Sequence, residues 1–243
     1  MQYGLHCLIN DLDHAMYWEE DKTTEQKHVL DDVVDMVFAI QCKCLPVDHV
    51  HALSESVQKI LPWLINEPVA GVHSIHVAAS GNGWMRPEDP NELLHLSRRT
   101  KLELRVPKHR IDDARQLEGV TLNVKGYAIE VKESTIRPMS EITTLFARYL
   151  ATADNLGNEE EVLEWVVEQL GMLEIKPRKM LCGTQHDIDT PEGKIRTRSL
   201  MLADLEVEES IRLQEKGLGP FRNLGCGLFI PHKDINDLQS GKK

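Results

Sequence analysis

The stretch DVVDMVFAIQCKCLPVDHVHALSESVQKILPWLI (Asp32–Ile65) carries two hydrophobic periods in succession. Apolar residues first alternate with a spacing of two, which is typical of a half-buried strand. They are Val34, Met36, Phe38 and Ile40. After Pro46 the apolar residues follow a helical period. They are Val50, Leu53, Val57, Ile60, Leu61 and Leu64. The stretch predicts a strand and then a helix, with Asp48 as the N-cap and Pro62 kinking or fraying the last turn.

The residues after this helix predict the rest of a first domain. The expected elements are strands over 72–79 and 101–106, a short helix over 108–117, and a hairpin over 120–132 that turns at Gly126. The order of elements is then β-α-β-β-α-β, which is the ferredoxin-like pattern. We expect this domain to span residues 33–136, after an acidic N-terminal extension of residues 1–32.

The same order recurs in the second half of the sequence. Residues 158–171 predict a helix, with acidic residues in its first turn and Gly171 directly after its last turn. The other expected elements are a strand or a helix over 140–153, strands over 178–186 and 195–205, a helix over 207–216 closed by Gly217, and a strand over 227–231. The sequence therefore predicts an α+β fold of two tandem ferredoxin-like (RRM-like) domains. The second would span residues 137–243 and include a glycine-rich loop over residues 217–227.

Composition narrows the class of protein. The 243 residues carry a formal net charge of −11, which argues weakly against a nucleic-acid partner. The acidity is local, however, because residues 97–115 hold seven Lys or Arg against three acidic residues. No apolar run is long enough to cross a membrane, no secretory signal is recognisable, and the five cysteines form no Cys-x-x-Cys pair. We expect a cytoplasmic protein with reduced thiols and no membrane partner.

The glycine-rich stretch GLGPFRNLGCGLFIP (Gly217–Pro231) has three possible roles: a nucleotide site, a tight turn, or a loop that a larger ligand approaches. Phosphate loops lead from a strand into a helix N-terminus, where the helix dipole favours anions. This stretch follows a predicted helix and precedes a predicted strand, so its polarity is the reverse. The order argues against a nucleotide site. A tight turn, or a loop whose bare backbone and Arg222 meet a larger ligand, remains open.

Two histidines at the start of the first predicted helix are candidate acid–base groups. On a helical wheel, His49 lies at the border of the apolar stripe and His51 lies on the polar face. A partly buried imidazole, with an ordinary pKa of about 6.5, suits proton transfer near neutral pH. The alternatives are a histidine that only packs or caps, and a metal site. The residues considered for a metal site are Asp48, His49, His51, His73 and His76, although no H-E-x-x-H or paired-cysteine motif supports one.

Basic residues gather before and along one predicted strand. Alternation places Arg99, Lys101 and Arg105 on one face of that strand, and Arg98 precedes them. Such a row can follow a line of phosphates, although a run of charges is more often a solvated surface. Arg196 and Arg198 repeat the two-residue spacing in the second half. Lys43 precedes the helix of His49 and could lie beside its N-terminus.

Several segments, taken in order, resemble one protein family. They are CLPVDHVHAL (Cys44–Leu53), GVHSIHVAASGNGW (Gly71–Trp84), LSRRTKLELRVP (Leu96–Pro107), SLMLADLEVEESIRLQEKGLG (Ser199–Gly219) and GLGPFRNLGCGLFIP (Gly217–Pro231). Together they are similar to the CRISPR-associated endoribonucleases of the RAMP superfamily, which cut precursor CRISPR RNA within its repeats. The MYXAN-type subgroup is the most similar. The resemblance runs from about Met16 to near His232.

The resemblance implies a pair of ferredoxin-like domains and a cut that needs no metal or other cofactor. In such a cut the 2′-hydroxyl attacks the phosphate and leaves a cyclic phosphate and a free 5′-hydroxyl. His49 matches the subgroup's LP-x-D-H pattern and would be the general base or acid. His51 stands where the subgroup more often has an aromatic residue and is the lesser candidate. Lys43, Arg222 and backbone amides of the loop would stabilise the phosphorane.

The resemblance also implies an RNA-binding surface and its partners. RNA would lie against the glycine-rich loop, and Phe221 stands where related loops often hold a basic residue, so it could stack on a base instead. The expected RNA contacts are Arg98, Arg99, Lys101, Arg105, Arg196, Arg198, Gly217, Gly219, Phe221, Arg222, Gly225 and Gly227. CRISPR repeat RNA is the expected partner, with other subunits of a CRISPR effector complex as a second class. The rival functions are a non-catalytic RNA-binding subunit of such a complex and a metal-dependent nuclease.

Overall fold

The computed structural model describes residues 32–77, 92–153, 156 and 158–232. Residues 1–31 of the predicted acidic extension lie outside this part of the chain. The elements are β1 (Val33–Gln41), β2 (Cys44–Pro46), α1 (Val50–Ile60), β3 (Gly71–Val72), β4 (Leu93–His95), β5 (Lys101–Pro107), α2 (Ile111–Ala114), β6 (Thr121–Val124), β7 (Tyr127–Pro138), β8 (Leu145–Leu150), α3 (Glu159–Met172), β9 (Lys179–Thr190), β10 (Gly193–Ala203), α4 (Val207–Lys216) and β11 (Phe229–Pro231). Short 3-10 turns lie at Pro62–Ile65, Lys108–Arg110, Arg115–Leu117 and Arg222–Leu224. No helix in the described part of the chain is long and apolar enough to span a membrane.

The first half forms a five-stranded antiparallel sheet in the order β3-β5-β1-β7-β6. Met36 and Phe38 on β1 are fully buried and share an apolar core with Val57 of α1. The alternation in Asp32–Ile65 therefore predicted both the strand and its core-facing residues. A separate two-stranded ribbon pairs β2 with β4.

The second half forms a four-stranded antiparallel sheet in the order β11-β8-β10-β9. α3 and α4 share an apolar core with this sheet, which includes Val166, Leu213, Leu145 and Leu202. The Asn158 side chain caps α3 by accepting a hydrogen bond from the Glu160 amide. A reciprocal capping box between Glu206 and Glu209 begins α4.

Three sequence predictions about single elements are corrected by the structure. Asp48 is not the N-cap of α1, because His49 occupies that position and the Asp48 carboxylate instead pairs with Lys125 in the β6–β7 turn. Gly171 lies inside α3, which continues to Met172. The strand expected from residue 72 ends at Val72, and residues 78–79 of that prediction lie outside the described residues.

Two further element boundaries differ from the predictions. The segment 140–153 is a strand only over Leu145–Leu150, so the helical alternative is wrong. β7 continues to Pro138, six residues beyond the expected end of the hairpin at residue 132, because it pairs with β1 over that length. Gly217 does close α4 as predicted, with φ of 63°.

Candidate active site

The N-terminal turns of α1 and the glycine-rich loop meet at the junction of the two halves. The Ser54 hydroxyl donates a hydrogen bond to the backbone oxygen of Asn223 at 2.5 Å, across 169 residues of sequence. One turn earlier on the helix, Val50 packs in an apolar cluster with Leu224 and Cys226 of the loop. Burial raises the pKa of the Cys226 thiol to about 12, so this thiol stays neutral at physiological pH. The structure therefore places the helix that carries His49 directly beside the loop.

His49 is held in one orientation at the start of α1. Its Nδ1 lies 2.9 Å from the backbone oxygen of Pro46 and 3.0 Å from that of Val47. Because a carbonyl oxygen only accepts, Nδ1 carries a proton, and in the neutral form of the ring the lone pair is then on Nε2. This is the tautomer that a general base acting through Nε2 requires. The residue is 1 % exposed, so the ring must be uncovered before it can contact RNA.

His51 and Lys43 lie nearer the surface than His49. His51 is half-buried in the first turn of α1, and Lys43 is exposed in the bend between β1 and β2. The alternative metal site is not assembled. Within the described ranges, the one group of His, Cys, Asp or Glu close enough to share a metal ion is Asp35, His73 and Glu103.

The four predicted loop glycines all have left-handed backbone angles. The φ values are 63° for Gly217, 75° for Gly219, 79° for Gly225 and 64° for Gly227. A Cβ on Gly227 would overlap the backbone oxygen of Leu218, and a Cβ on Gly219 would overlap that of Ala151. The loop thus folds back closely on itself and on the end of β8, which side chains at these positions would prevent. Contacts within the protein account for the glycines, as the tight-turn interpretation requires.

The two side chains between these glycines have opposite exposures. Arg222 is 8 % exposed, and its guanidinium donates to the backbone oxygens of Glu215, Lys216 and Val69. Burial, and then the positive charge of Arg105, lower the pKa of Arg222 to about 9. The expected role of Arg222 as an exposed phosphate contact is therefore corrected: it ties the loop to the first half. Phe221 is 42 % exposed and presents its ring to solvent.

Arg105 was expected on an exposed basic row and is instead completely buried. Its Nη1 donates to the backbone oxygens of Gln214 at 2.8 Å and Phe229 at 2.9 Å, both in the second half. Its Nε and Nη2 bind the two carboxylate oxygens of Asp35 at 2.9 and 3.1 Å. The predicted row of exposed basic residues is interrupted because the second half covers the Arg105 end of this face of the sheet. Lys101, at the other end of β5, stays exposed.

Asp35 is the centre of this buried polar network. His73 lies 3.5 Å from Asp35, and Arg137 bridges Asp35 at 3.2 Å to the carboxylate of Glu103. Burial by itself raises the pKa of Asp35, but Arg105 and then His73 outweigh burial and hold that pKa well below its usual range. The patterns in the sequence did not predict this network. The one feature that could have indicated it is an acidic residue, Asp35, inside the apolar run VVDMVF (Val33–Phe38).

The other basic residues lie on separate elements. Arg98 and Arg99 are exposed in the turn before β5, not on the strand. Arg196 is exposed on β10, whereas Arg198 is half-buried and donates to the backbone oxygen of Gly183 at 3.2 Å. Of the row predicted on β5, Lys101 is therefore exposed on the strand, Arg99 lies in the preceding turn and Arg105 is buried.

Solved structures with the same fold define the broad class of this protein. A RAMP protein binding different RNA substrates has a TM-score of 0.56 at 16% identity, over 82% of this chain and 100% of that one. A Cas6-related protein from Pyrococcus furiosus has a TM-score of 0.57 at 14% identity, over 83% and 99%. At these identities the likeness concerns the fold alone, a mixed α+β fold shared with RAMP proteins.

Sequence comparisons give the family. The protein-family model described as Cas6 Crispr matches residues 34–234. The CRISPR-associated endonuclease Cas6 of Myxococcus xanthus (strain DK1622) is 27% identical over 210 residues, which is 86% of each chain. The chain belongs to the Cas6 family. The family resemblance predicted from the sequence segments is confirmed.

Proposed function

We propose that the chain is an endoribonuclease that recognises the CRISPR repeat in precursor CRISPR RNA and cleaves it, in the cytoplasm, without a metal ion or other cofactor, giving mature guide RNAs. The observation that carries the proposal is the placement of His49: a histidine in a single tautomer, beside the glycine-rich loop, in a chain of the Cas6 family. The relative from Myxococcus xanthus is named an endonuclease. Family membership alone leaves the chemistry open, since one fold hosts many functions.

We also propose that each half is a ferredoxin-like domain. In the second half the sheet order β11-β8-β10-β9 is fourth-first-third-second along the chain. In the first half the strands β7-β1-β5-β3 give the same order, with β6 added at the edge. This is the order that a β-α-β-β-α-β chain produces when every neighbour is antiparallel. The long β7 supports moving the boundary from residue 136 to just after Pro138.

The proposed chemistry is an internal transesterification. The lone pair on Nε2 of His49 takes the proton of the 2′-hydroxyl, whose oxygen then attacks the adjacent phosphate. Charge builds up on the phosphorane, and the exposed ammonium of Lys43 and loop amides are the groups assigned to stabilise it. His51 is half-buried one position past Val50 and keeps its place as the lesser candidate.

RNA recognition is assigned to the exposed members of the predicted set. They are Arg98, Arg99, Lys101, Arg196 and Phe221. The arginines and the lysine would contact phosphates, and the Phe221 ring would stack on an unpaired base. The partners are CRISPR repeat RNA and, as a second class, other subunits of a CRISPR effector complex.

One observation favours the alternative of a non-catalytic RNA-binding subunit. The His49 ring is buried, and a general base must touch its substrate. The endoribonuclease proposal therefore requires RNA binding to displace the residues that cover the ring.

Single-turnover cleavage and binding of the CRISPR repeat RNA from the same genome separate these functions. We expect His49→Ala to slow cleavage by about 10²- to 10⁴-fold, the usual contribution of a positioned acid or base, with repeat affinity unchanged. His51→Ala is the matched control on the same helical turn and should change the rate by less than about tenfold. Tight binding without cleavage by the unmodified protein would support the alternative, and full activity of His49→Ala would remove His49 from the mechanism.

A further inference from the structure

We propose that His186 is the second proton-transfer group of the cleavage, the general acid that protonates the departing 5′-oxygen. The proposal rests on the endoribonuclease function proposed above. Transesterification needs an acid as well as a base, and the mechanism proposed above assigns only the base, His49. His186 comes from β9 in the second half, so the active site would be built from both halves.

The position of His186 follows from its ring contact with Tyr149. The two ring centroids are 5.9 Å apart and the rings meet edge to face at 88°. Tyr149 belongs to the apolar cluster that contains Val50, the first residue of α1, and Leu224 and Cys226 of the glycine-rich loop. Tyr149 therefore contacts His186 and shares an apolar cluster with Val50, the residue next to His49.

A second residue on β9 supports the same placement. Ile188 belongs to the same cluster as Val50 and Tyr149. Residues two apart on a strand point to the same face, so His186 lies on the face of β9 that meets the start of α1. Between β8 and β9 runs β10, and its residue opposite His186 is the small Thr197. A small residue there leaves room for the two rings to meet across β10.

The backbone of His186 is fixed, whereas its side chain is accessible. The Thr197 hydroxyl donates to the backbone oxygen of His186 at 2.6 Å, within the paired β9–β10 hairpin. His186 is exposed, in contrast to the buried His49. An exposed imidazole can exchange protons with solvent between turnovers, as the general acid must. A buried imidazole can be held in one tautomer, as the general base must be.

The reaction balances with these two groups. The bond from the 2′-oxygen to phosphorus forms while the bond from phosphorus to the 5′-oxygen breaks. The proton of the 2′-hydroxyl moves to Nε2 of His49, and the imidazolium of His186 gives its proton to the 5′-oxygen. The products are a 2′,3′-cyclic phosphate and a 5′-hydroxyl. The pair then returns to its starting state by exchanging one proton through solvent.

A repeat RNA with sulfur in place of the bridging 5′-oxygen at the cut tests the assignment, because a thiolate leaves without protonation by an acid. We expect the His186→Ala variant to cleave the normal RNA about 10²- to 10⁴-fold more slowly than the unmodified protein does. Its rate on the sulfur RNA should stay within about tenfold of the rate of the unmodified protein. His49→Ala should be slow on both RNAs, because the base is still needed. His186→Ala should also lose the fall in rate on the alkaline side of the pH profile.

His232→Ala is the matched control. His232 is also exposed and also contacts an aromatic ring, that of Phe146, at 6.0 Å. It should cleave both RNAs like the unmodified protein. Equal slowing of both RNAs by His186→Ala, or no slowing of either, would overturn the assignment of His186 as the acid. If the unmodified protein cleaves neither RNA, the proposed function itself is wrong. This outcome differs from those that overturn the role of His186, because in those the unmodified protein is active.

Discussion

His49 shares the junction between the halves with two buried arginines, Arg105 and Arg222. A buried guanidinium needs acceptors for its donors. Arg105 donates to the Asp35 carboxylate and to two backbone oxygens, and the two Nη groups of Arg222 donate to three backbone oxygens. Both arginine side chains form hydrogen bonds that link the two halves. The ring of His49 is oriented through Nδ1, and the proposed mechanism uses Nε2.

The glycine at position 227 should be intolerant of any side chain. Gly227→Ala places a Cβ against the Leu218 backbone oxygen and also imposes a left-handed angle on alanine. Gly119→Ala is the control, because Gly119 has φ of 79° but open space around it. We expect urea unfolding to show about 1–3 kcal/mol more destabilisation for Gly227→Ala than for the control. Equal losses would mean that the close approach of the loop backbone is absent in solution.

At the scale of single elements, the sequence predicted what local patterns determine. The alternation in β1, the period of α1 and the glycine that ends α4 are properties of short segments, and the structure contains all three. Alternation also placed Arg105 correctly on the face away from the first core. What covers that face is contact with Gln214 and Phe229, more than 100 residues away, which no local pattern reports. For the same reason the burial of His49 and the position of His186 could not be predicted.

α3 offers a direct test of one difference between prediction and structure. Gly171 lies in the helix with open space around it, so Gly171→Ala should stabilise the protein by up to about 1 kcal/mol. If Gly171 instead closed the helix in a left-handed conformation, as predicted from the sequence, the same change would destabilise it. Thermal or urea unfolding of this one variant, compared with the unmodified protein, distinguishes the two.

At the scale of the whole molecule, Arg105 links the two halves, and its buried pair with Asp35 inside the first half should make stability depend on acid pH. The pKa of Asp35 is lower in the folded protein than its ordinary value of 3.8. Its stabilisation is therefore complete above about pH 4 and is lost as the pH falls from there toward the folded-state pKa. Asp35→Asn should be less stable than the unmodified protein at pH 7, because it leaves a buried Arg105 without its partner charge.

Denaturant unfolding at several pH values checks the sign of this effect. The stability difference between the unmodified protein and Asp35→Asn should shrink as the pH is lowered from 5 through 3. The control is Glu160→Gln, at an exposed position on α3. Its difference in unfolding free energy from the unmodified protein should vary by less than about 0.5 kcal/mol over the same pH range. A difference that stays constant over this range would mean that Asp35 is not held ionised by Arg105.

The net charge of −11 does not by itself exclude an RNA substrate, because Arg98, Arg99 and Lys101 are exposed within four positions of the chain. Under the proposed function, the exposed basic residues and the junction between the halves bind a CRISPR repeat, and the RNA is cut by attack of its own 2′-hydroxyl. This mechanism determines the chemical ends of the products as well as the rate of cleavage.

Analysis of the cleavage products in excess EDTA is the most direct measurement. The repeat RNA from the same genome is incubated with the purified protein, beside the same RNA carrying a single 2′-deoxy nucleotide upstream of the cut. We expect full cleavage of the first RNA, with 2′,3′-cyclic phosphate and 5′-hydroxyl ends, and none of the second. Cleavage of the 2′-deoxy RNA, 3′-hydroxyl and 5′-phosphate ends, or activity that returns only with a divalent ion would contradict the account.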